Sequence, residues 1–312
     1  MTHARRFRFG VQSFTATSGA DWVAMARRAE ELGYATLFMP DHFGDQLAPI
    51  PGLMAAAAAT TDLRVGALVL DNDYKHPLVL AKELASIDLL SDGRLEIGLG
   101  AGWMKSDYDE AGMSYDAPAT RVDRFEEGLA VIIGLLGPDP FSFMGEHYTI
   151  TNHNGLPKPV QAPRPPILIG GGLKRMLSIA GRHADIVGIN PTIPNGEVDA
   201  DAARSGTAVE TDRKVGWIKD AAGARYADLE INLLNFGCFL TDDRVSLADQ
   251  LAPAFGVTPA ELLEFPHTLL GTVDQICDDL LARRDRWDAS YIVVQHDAME
   301  AMAPVVARLT GT

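Results

Sequence analysis

The chain contains only two cysteines, Cys238 and Cys277, among its 312 residues. Two cysteines cannot build a disulfide framework, so the sequence favours a reducing compartment, and both thiols are expected to be buried. Long apolar runs are also missing: the most apolar short stretch, Leu53–Ala59, is far below the ~20 residues that span a bilayer. Residues 1–10 lack an apolar segment followed by a cleavage site. We therefore expect a cytoplasmic protein that does not enter a membrane.

Positive charge is scarce. The chain has 27 basic and 42 acidic side chains, which gives a net charge of −15. This balance repels nucleic acids and anionic membrane surfaces, so neither is expected as a partner. A small anionic ligand remains compatible with it, because local backbone dipoles bind anions. The sequence thus points to a small-molecule substrate.

Short runs rich in Val, Ile, Leu or Phe alternate with longer helical patterns along the whole chain. This alternation predicts a parallel sheet. Eight units allow a barrel or an open doubly wound sheet, and the count together with the length favours a (β/α)8 TIM barrel. The predicted strands are Phe7–Ser13, Thr36–Pro40, Leu63–Leu70, Arg94–Gly100, Pro166–Gly170, Asp185–Ile189, Leu229–Asn235 and Ser290–Gln295.

The helices between these strands have recognisable starts. Ser18 begins a capping-box-like segment, Pro77 suits a first helical position, and Thr272 with Gln275 forms a second capping box. We expect one domain over residues 1–312, with insertion segments at about 137–165 and 191–228. The polar stretch Asn195–Thr211 predicts a mobile lid or loop, with disorder as the alternative.

In a barrel, the residues that follow the carboxyl ends of the strands build the active site. The second strand delivers Asp41, His42 and Asp45 there. His42 is the best acid–base candidate, with Asp41 or Asp45 to orient it, although a histidine that only stabilises a loop is the simpler alternative. The same three side chains could ligate a metal. Metal-dependent barrel hydrolases, however, carry a His-x-His pair after the first strand, where this chain has Gln12-Ser13-Phe14, so no metal is expected.

Other polar or glycine-rich positions follow the remaining strands. Gly170-Gly171-Gly172 precedes a helix and suits a phosphate, although a tight turn would need the same residues. The run from Gly98 to Gly102 is not a dinucleotide fingerprint, because its third glycine arrives one residue early. It is more typical of a strand end that lies against a flat ligand. The residues expected to line the substrate are Gln12, Ser13, Trp103 and His296.

Several motifs together resemble a known family. The segment His76–Trp103, HPLVLAKELASIDLLSDGRLEIGLGAGW, looks like the signature of luciferase-like flavin- and deazaflavin-dependent oxidoreductases. Pro-Asp-His-Phe at Pro40–Phe43 resembles the second-strand motif of the deazaflavin branch. Gly145–Pro166 and Leu270-Gly271-Thr272 are similar to the family's connection into strand 5 and to its last βα unit.

This resemblance implies a barrel with insertions, often dimeric, that holds FMN or coenzyme F-420 (8-hydroxy-5-deazaflavin) at its mouth. His42, assisted by Asp41, would lie at the reactive edge of the ring. Strand 3 of the family has a bulge, commonly with a non-prolyl cis peptide, and Leu68-Val69 is the matching position. The residues that match cofactor-binding positions are Leu68, Val69, Ala101, Gly102, Gly170, Gly171 and Gly172.

The chain also departs from the family pattern. Trp103 stands where sugar-phosphate dehydrogenases of the family have a catalytic Glu, and Gly44-Asp45-Gln46 lacks their Trp. Sugar-phosphate oxidation is therefore not expected, and Trp103 offers an apolar wall instead. The expected activity is hydride transfer between F-420 and a small organic substrate. The alternatives are an FMN-dependent monooxygenase that uses O2 and reduced flavin from a partner reductase, and a non-catalytic flavin-binding barrel.

Overall fold

Parallel strands alternate with helices along the chain. The computed structural model describes residues 5–193, 195–197 and 199–312. Residues 1–4, 194 and 198, which belong to the N-terminal segment and the second insertion discussed above, lie outside that description. In chain order the elements are β1 (Arg8–Gln12), α1 (Gly19–Glu31), β2 (Thr36–Met39), α2 (Pro49–Ala59), β3 (Arg64–Ala67), β4 (Leu70–Asp71), α3 (Pro77–Leu90), β5 (Leu95–Gly100), α4 (Lys105–Ala111), α5 (Pro118–Leu136), β6 (Phe141–Met144), β7 (Thr149–His153), β8 (Ile167–Gly171), α6 (Lys174–His183), β9 (Ile186–Ile189), α7 (Ala200–Arg204), α8 (Ala208–Ala222), β10 (Glu230–Asn235), β11 (Gly237–Leu240), α9 (Arg244–Phe255), α10 (Pro259–Leu263), β12 (Thr268–Gly271), α11 (Val273–Trp287), β13 (Ala289–Gln295) and α12 (Met299–Leu309).

The strands close into a parallel barrel. The sheet runs β3-β2-β1-β13-β10-β9-β8-β5-β4, and the pairing of β3 with β5 joins its two ends. Because β4 continues β3, the ring has eight strand positions, and the predicted (β/α)8 barrel is confirmed. Its interior is filled by apolar side chains, which explains why the strands are apolar on both faces. The interior cluster comprises Phe38, Leu68, Leu168, Ile186, Leu234, Tyr291 and Val293.

The third predicted strand is interrupted at Leu68 and Val69. The residue opposite Gly66 is Glu96, and the residue opposite Leu70 is Leu99, so β3 and β4 together carry one residue more than β5. This mismatch is a bulge, and the Leu68-Val69 peptide is cis, as the family resemblance implied. The side-chain amide of Gln12 donates to the Leu68 carbonyl oxygen at 3.0 Å.

The predicted helix starts are present. The Ser18 hydroxyl accepts from the backbone N–H of Asp21, Pro77 opens α3, and Thr272 with Gln275 forms the capping box of α11. Among the described residues, no helix is both long and apolar enough to span a bilayer.

The two predicted insertions contain regular structure. Residues 137–165 include an antiparallel pair of strands, β6 and β7. In residues 191–228, the stretch predicted as a lid or loop, Asn195–Thr211, instead holds α7 and the start of α8. The interpretation as a loop was wrong for this part, because α7 and the first turn of α8 bury one face, which includes Ala202, Ala208 and Thr211. A polar sequence that buries one narrow face still forms a helix.

A third insertion was not predicted. After β10 the chain forms β11, which pairs in parallel with β12, and helices α9 and α10 lie between these two strands. The insertion has its own apolar cluster, which comprises Ala248, Ala252, Leu262, Phe265 and Leu270. It lies at the carboxyl end of β10 and therefore beside the mouth of the barrel.

Candidate active site

A cavity of about 530 Å³ lies at the carboxyl ends of the barrel strands. It brings together most of the residues that the sequence indicated, since they follow different strands that end at the same edge. The sequence-predicted residues that line it are Gln12, Asp41, His42, Leu68, Val69, Ala101, Gly102, Trp103, Gly170, Gly171 and Gly172.

Two predicted residues do not line this cavity. Ser13 is buried, and its backbone N–H donates to the Phe38 carbonyl. His296 lies at a separate depression beside α1, because a short 3-10 turn after β13 carries it away from the barrel axis. Gln295, one residue earlier, stays near the axis, where its side-chain amide donates to Gln12 Oε1 at 3.0 Å.

His42 is held by a carboxylate that the sequence did not indicate. Its Nδ1 lies 2.7 Å from Asp107 Oδ2, whereas the expected partners Asp41 and Asp45 form no hydrogen bond with it. Asp107 lies in the first turn of α4 and also accepts from the Tyr74 hydroxyl at 2.9 Å. The proximity of Asp107 to Trp103 in the sequence was the available signal. Within the described residues Nε2 of His42 has no hydrogen-bond partner, so it is available to a bound molecule.

The ring of Trp103 packs against His42. The two ring centres are 5.5 Å apart, and the planes are nearly perpendicular, at 86°. This edge-to-face contact limits the orientations of the imidazole. The Tyr115 hydroxyl donates to the Trp103 carbonyl at 2.9 Å and helps to place the residue. Trp103 therefore supplies an apolar side to the cavity next to His42.

Two further carboxyl groups lie beneath this pair. Asp41 Oδ2 accepts from the backbone N–H of Asp71 at 3.1 Å, and both side chains line the cavity. Burial raises the pKa of Asp41 above its ordinary value. Burial also raises the pKa of Asp71 to about 7, and the negative charge of Asp73 adds to the rise. Asp71 can therefore gain or lose a proton near neutral pH.

The environment of Asp71 differs from that of its neighbour Asp73. Asp71 accepts from neutral donors, the Tyr108 hydroxyl and the backbone N–H of Asp73. Asp73 instead forms a paired contact with Arg124, with two N–O distances of 2.7 Å. The guanidinium of Arg124 compensates the charge of Asp73, and no comparable group serves Asp71 among its hydrogen-bond partners.

Glycine backbone also lines the cavity. A Cβ on Gly100 would lie 2.6 Å from Val69 Cγ2, and one on Gly172 would lie 2.4 Å from the Pro191 carbonyl oxygen. Side chains are thus excluded there, and the backbone is open to a ligand. Helix α6 starts just after Gly172 without a side-chain cap, so its first N–H groups are available to an anion.

Arg121 supplies a positive charge to the same cavity. It is 4% exposed, and its guanidinium stacks on the Tyr115 ring at 4.1 Å. Its Nε is buried and lacks a hydrogen-bond partner within the described part of the chain. An unsatisfied buried donor is costly unless an acceptor reaches it. The glycine backbone and Arg121 therefore fit a flat cofactor with an anionic tail.

No cluster of three metal-ligating side chains occurs in residues 5–193, 195–197 and 199–312.

The fold is a parallel barrel whose mouth carries a hydrogen-bonded His–Asp pair. A family model described as "Luciferase-like monooxygenase" matches residues 6–214, which is more than half of the chain. The chain belongs to this family, whose members are oxidoreductases and monooxygenases.

Relatives of known activity use two different cofactors. An FMNH(2)-dependent dimethylsulfone monooxygenase of Pseudomonas putida is 32% identical over 162 residues, 50% of this chain and 44% of that protein. An F-420-dependent glucose-6-phosphate dehydrogenase of Amycolatopsis mediterranei is 28% identical over 173 residues, 53% of this chain and 51% of that protein. The chain thus spans about half the length of these relatives.

Solved structures share the fold over the whole chain. The monooxygenase RslO1 from Streptomyces bottropensis superposes with a TM-score of 0.72 at 21% identity, covering 96% of this chain and 98% of that one. The coenzyme F-420-dependent tetrahydromethanopterin reductase from Methanopyrus kandleri gives a TM-score of 0.74 at 19% identity, covering 97% and 99%. At these identities the likeness concerns the fold alone.

Proposed function

We propose that this protein transfers a hydride between coenzyme F-420 and a small organic substrate. The observation that carries the proposal is the His42–Asp107 pair at the cavity, with Nδ1 held at 2.7 Å. When bound, a deazaflavin supplies a carbon that donates or accepts a hydride. The resemblance of Pro40–Phe43 to the deazaflavin branch favours F-420 over FMN.

The side chains around the cavity divide the remaining work. His42 releases a proton from Nε2 when the substrate oxygen gains a hydrogen, and accepts one there when that oxygen loses its hydrogen. Asp107 orients the imidazole through Nδ1. Trp103 limits the access of water on that side, which strengthens electrostatic interactions within the cavity.

The cofactor-binding residues follow from the same geometry. Val69 at the bulge and Gly100 form a surface suited to a flat ring. Gly171, Gly172 and Arg121 lie where an anionic tail would find backbone N–H groups and a guanidinium.

The second candidate is an FMN-dependent monooxygenase, which the similarity to dimethylsulfone monooxygenases supports. Such an enzyme would need reduced flavin from a reductase. That partner, a homodimer and a cytoplasmic location remain predictions.

Binding measurements separate these candidates. We expect the purified protein to bind F-420 more tightly than FMN when each is titrated by fluorescence quenching. Arg121→Met should weaken F-420 binding, whereas Arg213→Met, which changes an exposed arginine of α8 outside the cavity lining, should not. Tight binding of FMN without measurable binding of F-420 would overturn the assignment. Turnover of a substrate that is unchanged in His42→Ala would remove the catalytic role of His42. F-420 binding without turnover of any substrate in a panel of neutral alcohols and ketones would favour the non-catalytic alternative.

A further inference from the structure

The cavity lining includes two chemically different sets of residues. One set is the glycine backbone with Arg121, which suits an anionic tail. The other set is apolar and includes Leu234, Phe236, Phe255 and Phe265. Two of the three phenylalanines, Phe255 at the end of α9 and Phe265 before β12, belong to the third insertion. Phe236 lies between β10 and β11 and leads into it.

The phenylalanines belong to one packed group. Phe265 is 2% exposed and packs edge-on against Phe255, with ring centres 5.9 Å apart. Phe236 and Phe265 both contact His267, at 5.4 and 5.8 Å between ring centres. Phe236 is 46% exposed, so much of its ring remains available to a ligand. We call Phe236, Phe255 and Phe265 the aromatic wall.

The polar groups behind the aromatic wall present no charge to the cavity. His267 is fully buried, its Nδ1 lies 2.9 Å from the Leu234 carbonyl, and burial lowers its pKa to about 3. The guanidinium of Arg283 is buried and donates to the carbonyl oxygens of Phe265, Pro266 and Thr268. Its positive charge is therefore turned towards the backbone and away from the lining.

The ammonium group of Lys214 is also hydrogen-bonded to backbone carbonyl oxygens. It is 1% exposed, and its Nζ donates to the carbonyl oxygens of Asn190 and Ser205 at 2.6 and 2.8 Å. Because the nearby cations serve backbone carbonyls, a phosphate or carboxylate at the aromatic wall would lose its hydration without gaining a partner. An apolar group would gain from leaving water there.

We propose that the aromatic wall selects an uncharged substrate that carries an alkyl or aryl group, and that it rejects phosphorylated and carboxylated substrates. The inference rests on the proposed function, in which the glycine backbone and Arg121 hold the coenzyme and the aromatic wall faces the substrate. It names Phe236, Phe255 and Phe265 as specificity-determining residues of the hydride transfer.

The test uses neutral probes on the F-420-loaded protein. N-phenyl-1-naphthylamine, an uncharged aromatic dye that fluoresces in apolar sites, is titrated and then displaced with 1-octanol or with glucose 6-phosphate. F-420 affinity is measured on each variant by quenching. The variants are Phe236→Asn and Phe255→Ala, and the matched control is Phe239→Asn. Phe239 is 39% exposed and lies three residues from Phe236, but it does not line the cavity.

We expect Phe236→Asn and Phe255→Ala each to weaken dye binding about five- to tenfold, the effect of losing much of one phenyl contact. Phe239→Asn should change it less than about twofold, and F-420 affinity should stay constant in all three variants. 1-Octanol should displace the dye, and glucose 6-phosphate should not.

The proposal is overturned if glucose 6-phosphate displaces the dye more effectively than 1-octanol, or if Phe239→Asn weakens the dye as much as Phe236→Asn. It is also overturned if the aromatic-wall variants lose F-420 affinity, since the wall would then serve the coenzyme. If F-420 fails to bind while the dye results hold on the FMN-loaded protein, the coenzyme assignment falls and the aromatic wall stands.

Discussion

Buried acidic side chains at the two ends of the barrel have different hydrogen-bond partners. At the amino end of the strands, Glu96 is 1% exposed and accepts from Arg8, from Arg64 at 2.8 Å and from the Tyr291 hydroxyl at 3.0 Å. At the carboxyl end, Asp71 is 7% exposed and accepts from neutral donors. Glu96 thus contacts two cationic side chains, whereas the hydrogen-bond partners of Asp71 in the described part of the chain include no cation.

The difference separates stability from chemistry. A buried carboxylate that is shared by two guanidinium groups ties neighbouring strands together, because removing it would leave uncompensated cations. A buried carboxyl without such a partner is driven towards its neutral form, and the pKa of Asp71 rises to about 7. The same fold therefore places a stabilising acid, Glu96, at one end of the barrel and a titratable acid, Asp71, near the His42–Asp107 pair at the other. Four substitutions test this contrast.

The largest loss of stability is expected for Glu96→Gln. It leaves Arg8 and Arg64 facing each other without the shared carboxylate, and we expect it to lower the free energy of unfolding by about 3 kcal/mol. Guanidinium denaturation measures this. Glu300→Gln, which breaks the exposed pair with Arg28, is the control and should cause no measurable change. Equal effects of the two substitutions would contradict the stabilising role of Glu96.

Asp71→Asn should act mainly above neutral pH. The folded pKa of about 7 exceeds the ordinary 3.8, so the folded state holds the extra proton between these values. The free energy of unfolding should therefore fall as pH rises from about 4 to about 7 and then level off. The variant lacks this contribution and should be more stable than the wild type at high pH by up to about 4 kcal/mol. Denaturation curves at about pH 5 and pH 8 check it. A difference that is the same at both pH values would refute the prediction.

Asp107→Asn should affect turnover more than stability. The amide no longer holds the His42 ring in the same tautomer and orientation, and we expect kcat to fall about 100-fold while KM and the affinity for F-420 change little. The rate is followed by F-420 absorbance with the best substrate from a panel of neutral alcohols and ketones. Asp109→Asn, two residues away on the exposed side of α4, is the control. Loss of F-420 binding in Asp107→Asn would instead indicate a structural role.

The smallest effect is expected for Gln12→Leu. It removes the donor that meets the Leu68 carbonyl at 3.0 Å, and an unsatisfied buried acceptor costs about 1–2 kcal/mol. We expect a corresponding loss of stability together with weaker F-420 binding, because Gln12 and Val69 line the same cavity. Gln161→Leu, which disturbs a hydrogen bond to the buried Asp88 outside the cavity, should lower stability without changing F-420 affinity. Unchanged F-420 affinity in Gln12→Leu would show that this hydrogen bond does not shape the cofactor surface.

Much of the fold could be predicted because its signals are local. The alternation of apolar strands with capped helices, such as α3 behind Pro77, is written in neighbouring residues. The third insertion was missed because its strands β11 and β12 pair only with each other, across two short helices, and neither is distinctive alone. Once the strands were placed, the barrel rule located His42 at the active edge. It could not name Asp107 as the partner, since 65 residues separate the two.

The order of strands and helices, and with it the set of residues at the carboxyl edge of the barrel, can be read from neighbouring residues. Hydrophobic periodicity and capping act over a few residues, which is why these features are visible in the sequence. The folded chain was needed to see that His42 pairs with Asp107, that Asp71 lies buried without a cation among its hydrogen-bond partners, and that Phe236 joins Phe255 and Phe265 in one wall. Each of these facts depends on distances between segments far apart in the chain, and on the burial that the closed barrel imposes.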